Sequence, residues 1–306
     1  MKRLLTALLL VLPIRAAAQE SAAFLKIGVG ARALGMGGAY TAVADDVSAI
    51  AWNPAGLSSL TKRELGAMHA ELVADTRYDF LGYAQPTKYG TFAAGAVYLS
   101  QGALEGRDVS GHQTGSFGAG DTAVNLGYAA RPASALRLGG NVKFIKSTIA
   151  DASAQTFALD LGGIYGLGRY GPGSVQLGLA VQNMGPGLRF SDQRSPLPLT
   201  MAVGGAYLLP AGLILSADYK NMPNGKTSEF DVGTEYALLS GFAIRAGYSR
   251  AGGSQPLQSR GGSALASLNG FAAGFGVKAY GYSLDYSITP FGELGNVQRI
   301  SLGARF

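Results

Sequence analysis

The sequence contains no cysteine and only two histidines, His69 and His112, among its 306 residues. The lack of cysteine excludes disulfides and thiolate chemistry. Neither histidine has a second ligand at metal-binding spacing, so we predict no metal site and no cofactor. A hydrolase that pairs His69 with a serine is an alternative, but the sequence has no nucleophile-elbow motif. We therefore predict that the protein is not an enzyme.

Charge is also scarce, because Asp, Glu, Lys and Arg together make up 14% of the sequence. The formal net charge is +6, but Lys2, Arg3 and Arg15 lie in the N-terminal leader described below. Without these three, 22 basic and 19 acidic residues remain. No basic stripe of the kind that binds nucleic acid is present. We therefore predict no nucleic-acid partner.

Long hydrophobic runs are missing beyond residue 18, which excludes transmembrane helices of about 20 residues. The N-terminus itself has a basic start at Met1–Arg3, an apolar run at Leu4–Leu12 and small residues at Ala16–Ala18. These three parts predict a secretory signal peptide over residues 1–18, with the mature chain beginning near Gln19. The alternative is a membrane anchor, for which the apolar run is too short.

The rest of the chain is rich in segments that alternate apolar and small or polar residues. Tyr282–Thr289 and Val175–Gln182 show this period of two, which is typical of β-strands. Fourteen such segments, most near ten residues long, are predicted as strands: 64–74, 77–86, 91–101, 120–130, 136–148, 154–166, 174–184, 198–209, 212–221, 228–238, 241–250, 268–278, 280–289 and 297–306.

These strands predict an all-β protein, a closed antiparallel transmembrane β-barrel of about fourteen strands over residues 63–306. A soluble sandwich or propeller is the alternative, since its strands also alternate. Such a fold exposes many Lys and Glu side chains, whereas the second face here is rich in glycine. The barrel is therefore favoured, with its apolar face toward the lipid of a Gram-negative-type outer membrane.

The lengths of the connections also favour an outer-membrane barrel. Links after even-numbered strands are mostly short, and long links follow odd-numbered strands at 102–119, 185–197 and 251–267. Outer-membrane barrels place short turns in the periplasm and long loops outside. We therefore predict that both termini are periplasmic.

Polar side chains on the second face are predicted to point into the lumen. These are Asp231, Glu235, Arg245, Asp285 and Arg305. Glu235 and Arg245 lie on neighbouring strands and are candidates for an ion pair. The chain ends in Phe306 after alternating apolar residues, which resembles the insertion signal read by the barrel-assembly machinery.

Residues 19–62 precede the first strand and are predicted to form a plug in the periplasmic mouth of the barrel, with a short helix at Ala39–Ile50. An ordinary N-terminal extension is the alternative. The Gly28–Ala33 stretch fits a dinucleotide-binding pattern, but no βαβ unit follows it. The candidate plug and turn residues are Gly35, Gly37, Gly38, Asp45, Asp46, Trp52, Asn53, Pro54, Ala55 and Gly56.

Two parts of the sequence resemble a known family. Gly30–Asp46 with Trp52–Leu57 is similar to the N-terminus of PorV/PorQ proteins, and the C-terminal stretches 285–286, 290–295 and 299–302 are similar to their C-terminus. The Asn-Pro-Ala-Gly string at 53–56 also recurs in the related FadL family of hydrophobic-solute channels.

The resemblance implies a fourteen-stranded barrel with an N-terminal plug. For the PorV/PorQ side it implies a part in type IX secretion, with outer loops 102–119 and 251–267 docking secreted proteins or other secretion components. The alternative, implied by the FadL side, is passive transport of fatty acids or other hydrophobic small molecules through a lateral opening. The absence of large loop insertions favours the first interpretation.

Overall fold

A computed structural model describes residues 20–190, 192–252, 269–290 and 296–306. The predicted signal peptide, most of the predicted outer loop 251–267 and the 291–295 part of the C-terminal motif lie outside the described residues. The barrel strands are β1 Glu64–Glu71, β2 Thr76–Thr87, β3 Gly90–Arg107, β4 Gln113–Ala133, β5 Leu136–Ile149, β6 Ala152–Tyr170, β7 Gly173–Met184, β10 Thr200–Leu209, β11 Leu213–Met222, β12 Thr227–Leu239, β13 Phe242–Gly252, β14 Phe271–Ala279, β15 Tyr282–Pro290 and β16 Asn296–Arg305. β8 Leu188–Phe190 and β9 Gln193–Ser195 form a separate hairpin.

The fourteen long strands form one closed antiparallel barrel in chain order, which confirms the predicted fold class. β1 closes the ring against β16 over eight residue pairs, from Glu64 opposite Arg305 to Glu71 opposite Gln298. Each neighbouring pair of these strands is hydrogen-bonded over part or all of its described residues. Register shifts occur only in β3–β4, β4–β5, β6–β7 and β12–β13 there. The described strands therefore form a continuous ring, with local irregularities at these four pairs.

The outer surface of the barrel is apolar. Leu126, Leu161 and Leu179 are 63%, 57% and 60% exposed, and each lies on the face that points away from the barrel axis. Inward positions on the same strands are mostly buried, and β1 shows a strict alternation of buried and exposed residues. These outward side chains meet no second sheet in the described residues, which excludes the sandwich alternative. Such a surface is stable only against lipid or detergent.

The two ends of the barrel differ in their links. The turn end carries tight links such as those at 88–89, 134–135 and 280–281, and the loop end carries the links at 72–75, 108–112 and 185–199. The predicted loop 102–119 is wrong in its extent, because β3 and β4 stay paired as far as Arg107 and Gln113. The ribbon is exposed along most of this extension, so the strands project beyond the barrel wall instead of ending at its rim.

The segment before β1 contains only short helices. They are a 3-10 helix at Ala23–Lys26, α1 at Ala31–Gly35, α2 at Ala49–Trp52 and a second 3-10 helix at Pro54–Ser59. A further 3-10 helix, at Pro210–Gly212, lies between β10 and β11. The predicted helix at Ala39–Ile50 is wrong, because only its last two residues, Ala49 and Ile50, are helical. No helix of the described chain is long and apolar enough to cross a bilayer.

Candidate functional site

Residues 20–62, here called the inner segment, run through the barrel from the loop end to the turn end. At the loop end the Ser21 N–H donates to the Pro196 carbonyl at 2.9 Å. At the turn end, where β1 begins, Arg63 and Phe306 exchange two backbone hydrogen bonds of 3.1 Å. The inner segment is thus longer than a plug confined to one mouth. Ser21 and Phe306 lie at opposite ends of the barrel, which differs from the expectation that both termini share one side.

A ring of inward-facing glycines lets the inner segment approach the wall on nearly every side. A Cβ atom at Gly139 would lie 2.4 Å from the Pro54 carbonyl carbon, and one at Gly247 would lie 2.2 Å from the Gly37 nitrogen. Real Cβ atoms do not come this close to backbone. The glycines that meet inner-segment backbone in this way are Gly139, Gly178, Gly233 and Gly247. Others face its side chains or pack against it less closely: Gly66, Gly82, Gly95, Gly127, Gly162, Gly204 and Gly274. The wall is therefore fitted to the backbone of this segment.

The Trp-Asn-Pro-Ala-Gly turn lies where the inner segment meets β4, β5 and β6. Asn53 is fully buried, and its Oδ1 accepts the Ala55 N–H at 3.2 Å, which caps the 3-10 helix that begins at Pro54. Its Nδ2 donates to the Thr41 carbonyl at 2.8 Å and to the Gly163 carbonyl at 3.2 Å. Asn53 therefore joins two parts of the inner segment to the barrel wall.

Trp52 and Gly56 tie the turn to the rest of the inner segment. The Trp52 indole N–H donates to the Val29 carbonyl at 2.7 Å, and Lys220 Nζ lies 5.0 Å from the ring centroid. A Cβ at Gly56 would lie 2.3 Å from the Ala44 carbonyl oxygen, so only glycine fits there. Ala55 is fully buried beside it.

Asn53→Ala is expected to lower the free energy of unfolding by about 1–3 kcal/mol, because it leaves buried backbone groups without partners. Denaturant unfolding in detergent measures this value. Ser58→Ala is the control, since it removes one half-buried hydroxyl that bonds only the nearby Ala55 carbonyl. Equal losses for the two variants would contradict the role given to Asn53.

A buried network of ion pairs fastens α1 to the wall. Arg32 donates from Nε and Nη2 to the two Glu235 oxygens at 2.7 and 2.8 Å. Glu235 also accepts from Arg245 Nε at 2.6 Å, and Arg245 Nη1 lies 2.7 Å from Asp285 Oδ1. Glu235 and Arg245 are directly opposed on β12 and β13. The bidentate contact fixes the orientation of Arg32 as well as its position.

Asp45 and Asp46 complete this network from within the inner segment. Arg32 donates to Asp45 and lies 3.5 Å from Asp46, whose carboxylate also accepts from the Tyr40 hydroxyl at 2.7 Å and the Ser48 N–H at 3.0 Å. Burial alone raises the pKa of Asp46, but the Arg32 charge and the hydrogen bonds outweigh it, so this pKa lies below its usual range. No cluster of metal-ligating side chains occurs in the described part of the chain.

The other predicted residues occupy separate places. Asp231 is buried and pairs with Lys220 at 2.6 Å, and Arg305 pairs with Glu64 at 2.8 Å near the turn end. Gly37 and Gly38 have φ values of +65° and +83°, which suit glycine, and Gly35 ends α1 beside Gly274. Phe306 is 62% exposed.

His69 faces outward and is bound to Asp79 at 2.6 Å on the outer surface. It therefore cannot meet a serine in the lumen, and the hydrolase alternative loses its base.

Several inward residues were missed at the sequence level. Asp218 accepts the backbone N–H groups of Tyr40 and Thr41 at 2.9 and 2.8 Å. Lys143 pairs with Asp160 at 2.8 Å next to the β6–β7 register shift. The alternation of their strands already places Asp218, Lys143 and Asp160 in the lumen. Arg32 had no such signal, because its position depends on how the inner segment winds.

A cavity of about 230 Å³ lies between the inner segment and strands β1, β2 and β14–β16. Its apolar lining comes from Val47, Met68 and Phe80, and its charged lining includes Arg32 and Glu64. An apolar groove lies outside the same stretch of wall, and the two share residues such as Ser283 and Gly303. The lumen beside the inner segment is therefore partly open at this place.

Comparisons with known proteins agree with this architecture. A family described as "Uncharacterised protein family (UPF0164)" matches residues 14–158, just under half of the chain. No curated protein matches the sequence.

Among solved structures, the chain is similar to the Ralstonia pickettii toluene transporter TbuX, with 16% identity, 91% of this chain and 98% of that chain covered, and a TM-score of 0.66. The Pseudomonas putida toluene transporter TodX has 14% identity, covers 91% and 96%, and has a TM-score of 0.64. A Pseudomonas aeruginosa FadL homologue has 12% identity, covers 91% and 98%, and has a TM-score of 0.59. At these identities the likeness shows a shared fold. None of these comparisons supports a part in type IX secretion.

Proposed function

We propose that the protein is a non-enzymatic outer-membrane channel for small hydrophobic molecules, with the inner segment as its plug. The observation that carries this proposal is the partly apolar cavity between the inner segment and the wall of a closed barrel with a lipid-facing exterior. The structures that share the fold include two toluene transporters. The transport of toluene by those two proteins supports a hydrophobic solute here.

The outer membrane suits this barrel because each of its described strands pairs with both neighbours around the ring and its exterior is apolar. Three earlier expectations stay predictions. They are the signal peptide, insertion by the barrel-assembly machinery through the Phe306 end, and the side of the membrane that each barrel end faces. Docking of secreted proteins also stays a prediction, since the proposed docking loops have no further observation in their favour. An unchanged surface proteome after gene deletion would argue against that role.

The plug leaves one side of the lumen open for passage. The glycine ring and the Arg32 network hold the inner segment against the wall, and the cavity lies between part of this segment and β1 and β14–β16 near the turn end. A small apolar molecule fits beside Val47, Met68 and Phe80 there without displacing the segment. Passage in this proposal runs along the cavity, and the plug restricts the solute to a small size.

Ser283→Trp is expected to slow toluene uptake about tenfold or more, because the indole fills a pocket that a ligand must occupy. Ser283 lines the cavity and makes no hydrogen bond through its side chain in the described residues. Uptake is measured with labelled toluene in a host with an outer membrane but without its own hydrophobic-solute channel. The readout is the initial rate at equal surface amounts of folded barrel.

Leu284→Trp is the matched control. Leu284 is the next residue of β15 and faces outward, where it lines the external groove and where tryptophan is well tolerated near lipid. Its uptake should equal that of the parent protein. Equal uptake by all three proteins, above that of cells without the barrel, would contradict passage through the cavity.

A further inference from the structure

One buried cation in the lumen has no anionic partner among the residues that the structure describes. Five cationic side chains are buried in the described part of the barrel: Arg32, Lys143, Lys220, Arg245 and Arg299. The first four pair with carboxylates at 2.6–2.8 Å. Arg299 is 4% exposed and forms no ion pair with any described residue. A buried charge without a partner is strongly destabilising, so this position calls for an explanation.

The hydrogen-bonding capacity of Arg299 is also mostly unused. Its Nη1 donates to Thr289 Oγ1 at 2.9 Å, and its buried Nε has no partner among the described residues. Ser287 lies directly opposite on β15, is fully buried, and its Oγ has no partner either. Two unsatisfied polar groups thus lie side by side on the inner wall.

The described residues around this pair supply no negative charge. On the other side of Arg299 the facing residue is Ala70 of β1, which is followed across the sheet by Tyr78 of β2. Tyr78 is buried, and its hydroxyl faces the Phe24 carbonyl of the inner segment at 3.4 Å. The nearest carboxylate along β15, Asp285, is already paired with Arg245.

We propose that Arg299 and Ser287 form a binding site for a monovalent oxyanion, such as a carboxylate, inside the lumen. The guanidinium supplies charge-assisted donors to the oxygens of the ligand, and the Ser287 hydroxyl supplies one more donor. The ligand is a free small anion or the carboxylate head of an amphiphile whose chain lies against the apolar wall. This site is independent of the proposed passage of neutral solutes.

The test uses the full barrel folded in detergent without other carboxylates or phosphate. Its unfolding temperature is measured against rising acetate, inorganic phosphate, decanoate and, as the neutral counterpart, decanol. We expect the anions to raise this temperature and decanol to leave it unchanged. Stabilisation by acetate and decanoate at similar concentrations identifies a free anion, and a much lower concentration for decanoate identifies an amphiphile.

Variants assign the effect to the site. Arg299→Met should abolish the anion-dependent rise, and Ser287→Ala should weaken anion binding about 10-fold, within the range for loss of one hydrogen bond to a charged group. Arg137→Met is the matched control, since Arg137 is another lumen arginine without a carboxylate but has Ser59 and Gln176 as acceptors. It should bind anions as the parent does.

Two results would overturn the proposal. One is a parent protein that no anion stabilises. The other is an anion effect of the same size in three proteins: the parent, Ser287→Ala and Arg299→Lys. This comparison stays informative even if Arg299→Met does not fold. If toluene uptake fails while anion binding is observed, the channel proposal falls and the anion site stands.

Discussion

Gly139→Val is expected to lower the free energy of unfolding by about 3 kcal/mol or more, at the upper end of the cost of overpacking. The added Cβ would lie 2.4 Å from the Pro54 carbonyl carbon and 2.5 Å from the Ala55 nitrogen. Both are backbone atoms of a turn that Asn53 holds against the wall, so neither can move alone. Denaturant unfolding in detergent, followed by circular dichroism, measures the loss of the barrel.

Gly140→Val is the matched control for this experiment. Gly140 is the next residue of β5 and faces outward, where the nearest atom to an added Cβ is 3.6 Å away. The same side chain, with the same strand preference, should change stability by less than about 1 kcal/mol there. Equal effects at the two positions would show that the glycine ring is not fitted to the inner segment.

The single tryptophan allows the unfolding of the inner segment to be followed separately from that of the barrel strands. Trp52 lies in the inner segment, so its fluorescence reports on that segment, whereas circular dichroism reports mainly on the strands. In Gly139→Val the fluorescence transition should come at a lower denaturant concentration than in the parent. A shift in the dichroism transition alone would contradict the contact with Pro54.

The barrel was predictable because lipid and lumen impose a period of two on every strand. All fourteen predicted strands match long strands of the barrel, and β5 and β7 agree within a residue or two at each end. The extension of β3 and β4 beyond the wall was not predictable. Its exposed residues have no buried face, so no alternation marks them, and their glycines read as a loop.

The path of the inner segment could not be predicted from the sequence for a related reason. Its helices are four to six residues long and are held by contacts with the barrel rather than by their own periodicity. The importance of the Asn53 turn was readable from Pro54 and its neighbours, but its partners Thr41 and Gly163 were not. The inward glycines were visible in the strands as a composition, and only the structure shows them as a fitted ring.

The glycine ring and the Arg32 network act on the inner segment in different ways. The glycines bring the wall into van der Waals contact with the inner segment and add no hydrogen bond or ion pair of their own. The Arg32 network gives a strong but local attachment of α1 to β12, β13 and, through Arg245, β15. Loss of the network should therefore loosen the segment near the cavity and leave the Asn53 turn in place.

Arg32→Met is expected to lower the free energy of unfolding by about 3–5 kcal/mol, because it breaks a buried ion pair and leaves Asp45 and Asp46 without their cation. It should also raise the ionic conductance of the barrel in planar bilayers, since α1 is no longer held to Glu235. Unfolding in detergent and single-channel recordings measure the two effects. Combining Arg32→Met with Glu235→Gln should destabilise less than the sum of the two single changes, because the two side chains share one contact.

Lys26→Met is the control from the same inner segment. Lys26 pairs with Glu20 at 2.7 Å; its side chain is 36% exposed and that of Glu20 is 8% exposed, so this variant controls for the conductance rather than for the stability. Its conductance should match that of the parent protein. If Arg32→Met leaves the conductance unchanged although its stability falls, the network supports the fold without restricting passage, and the inner segment is not a plug at this point.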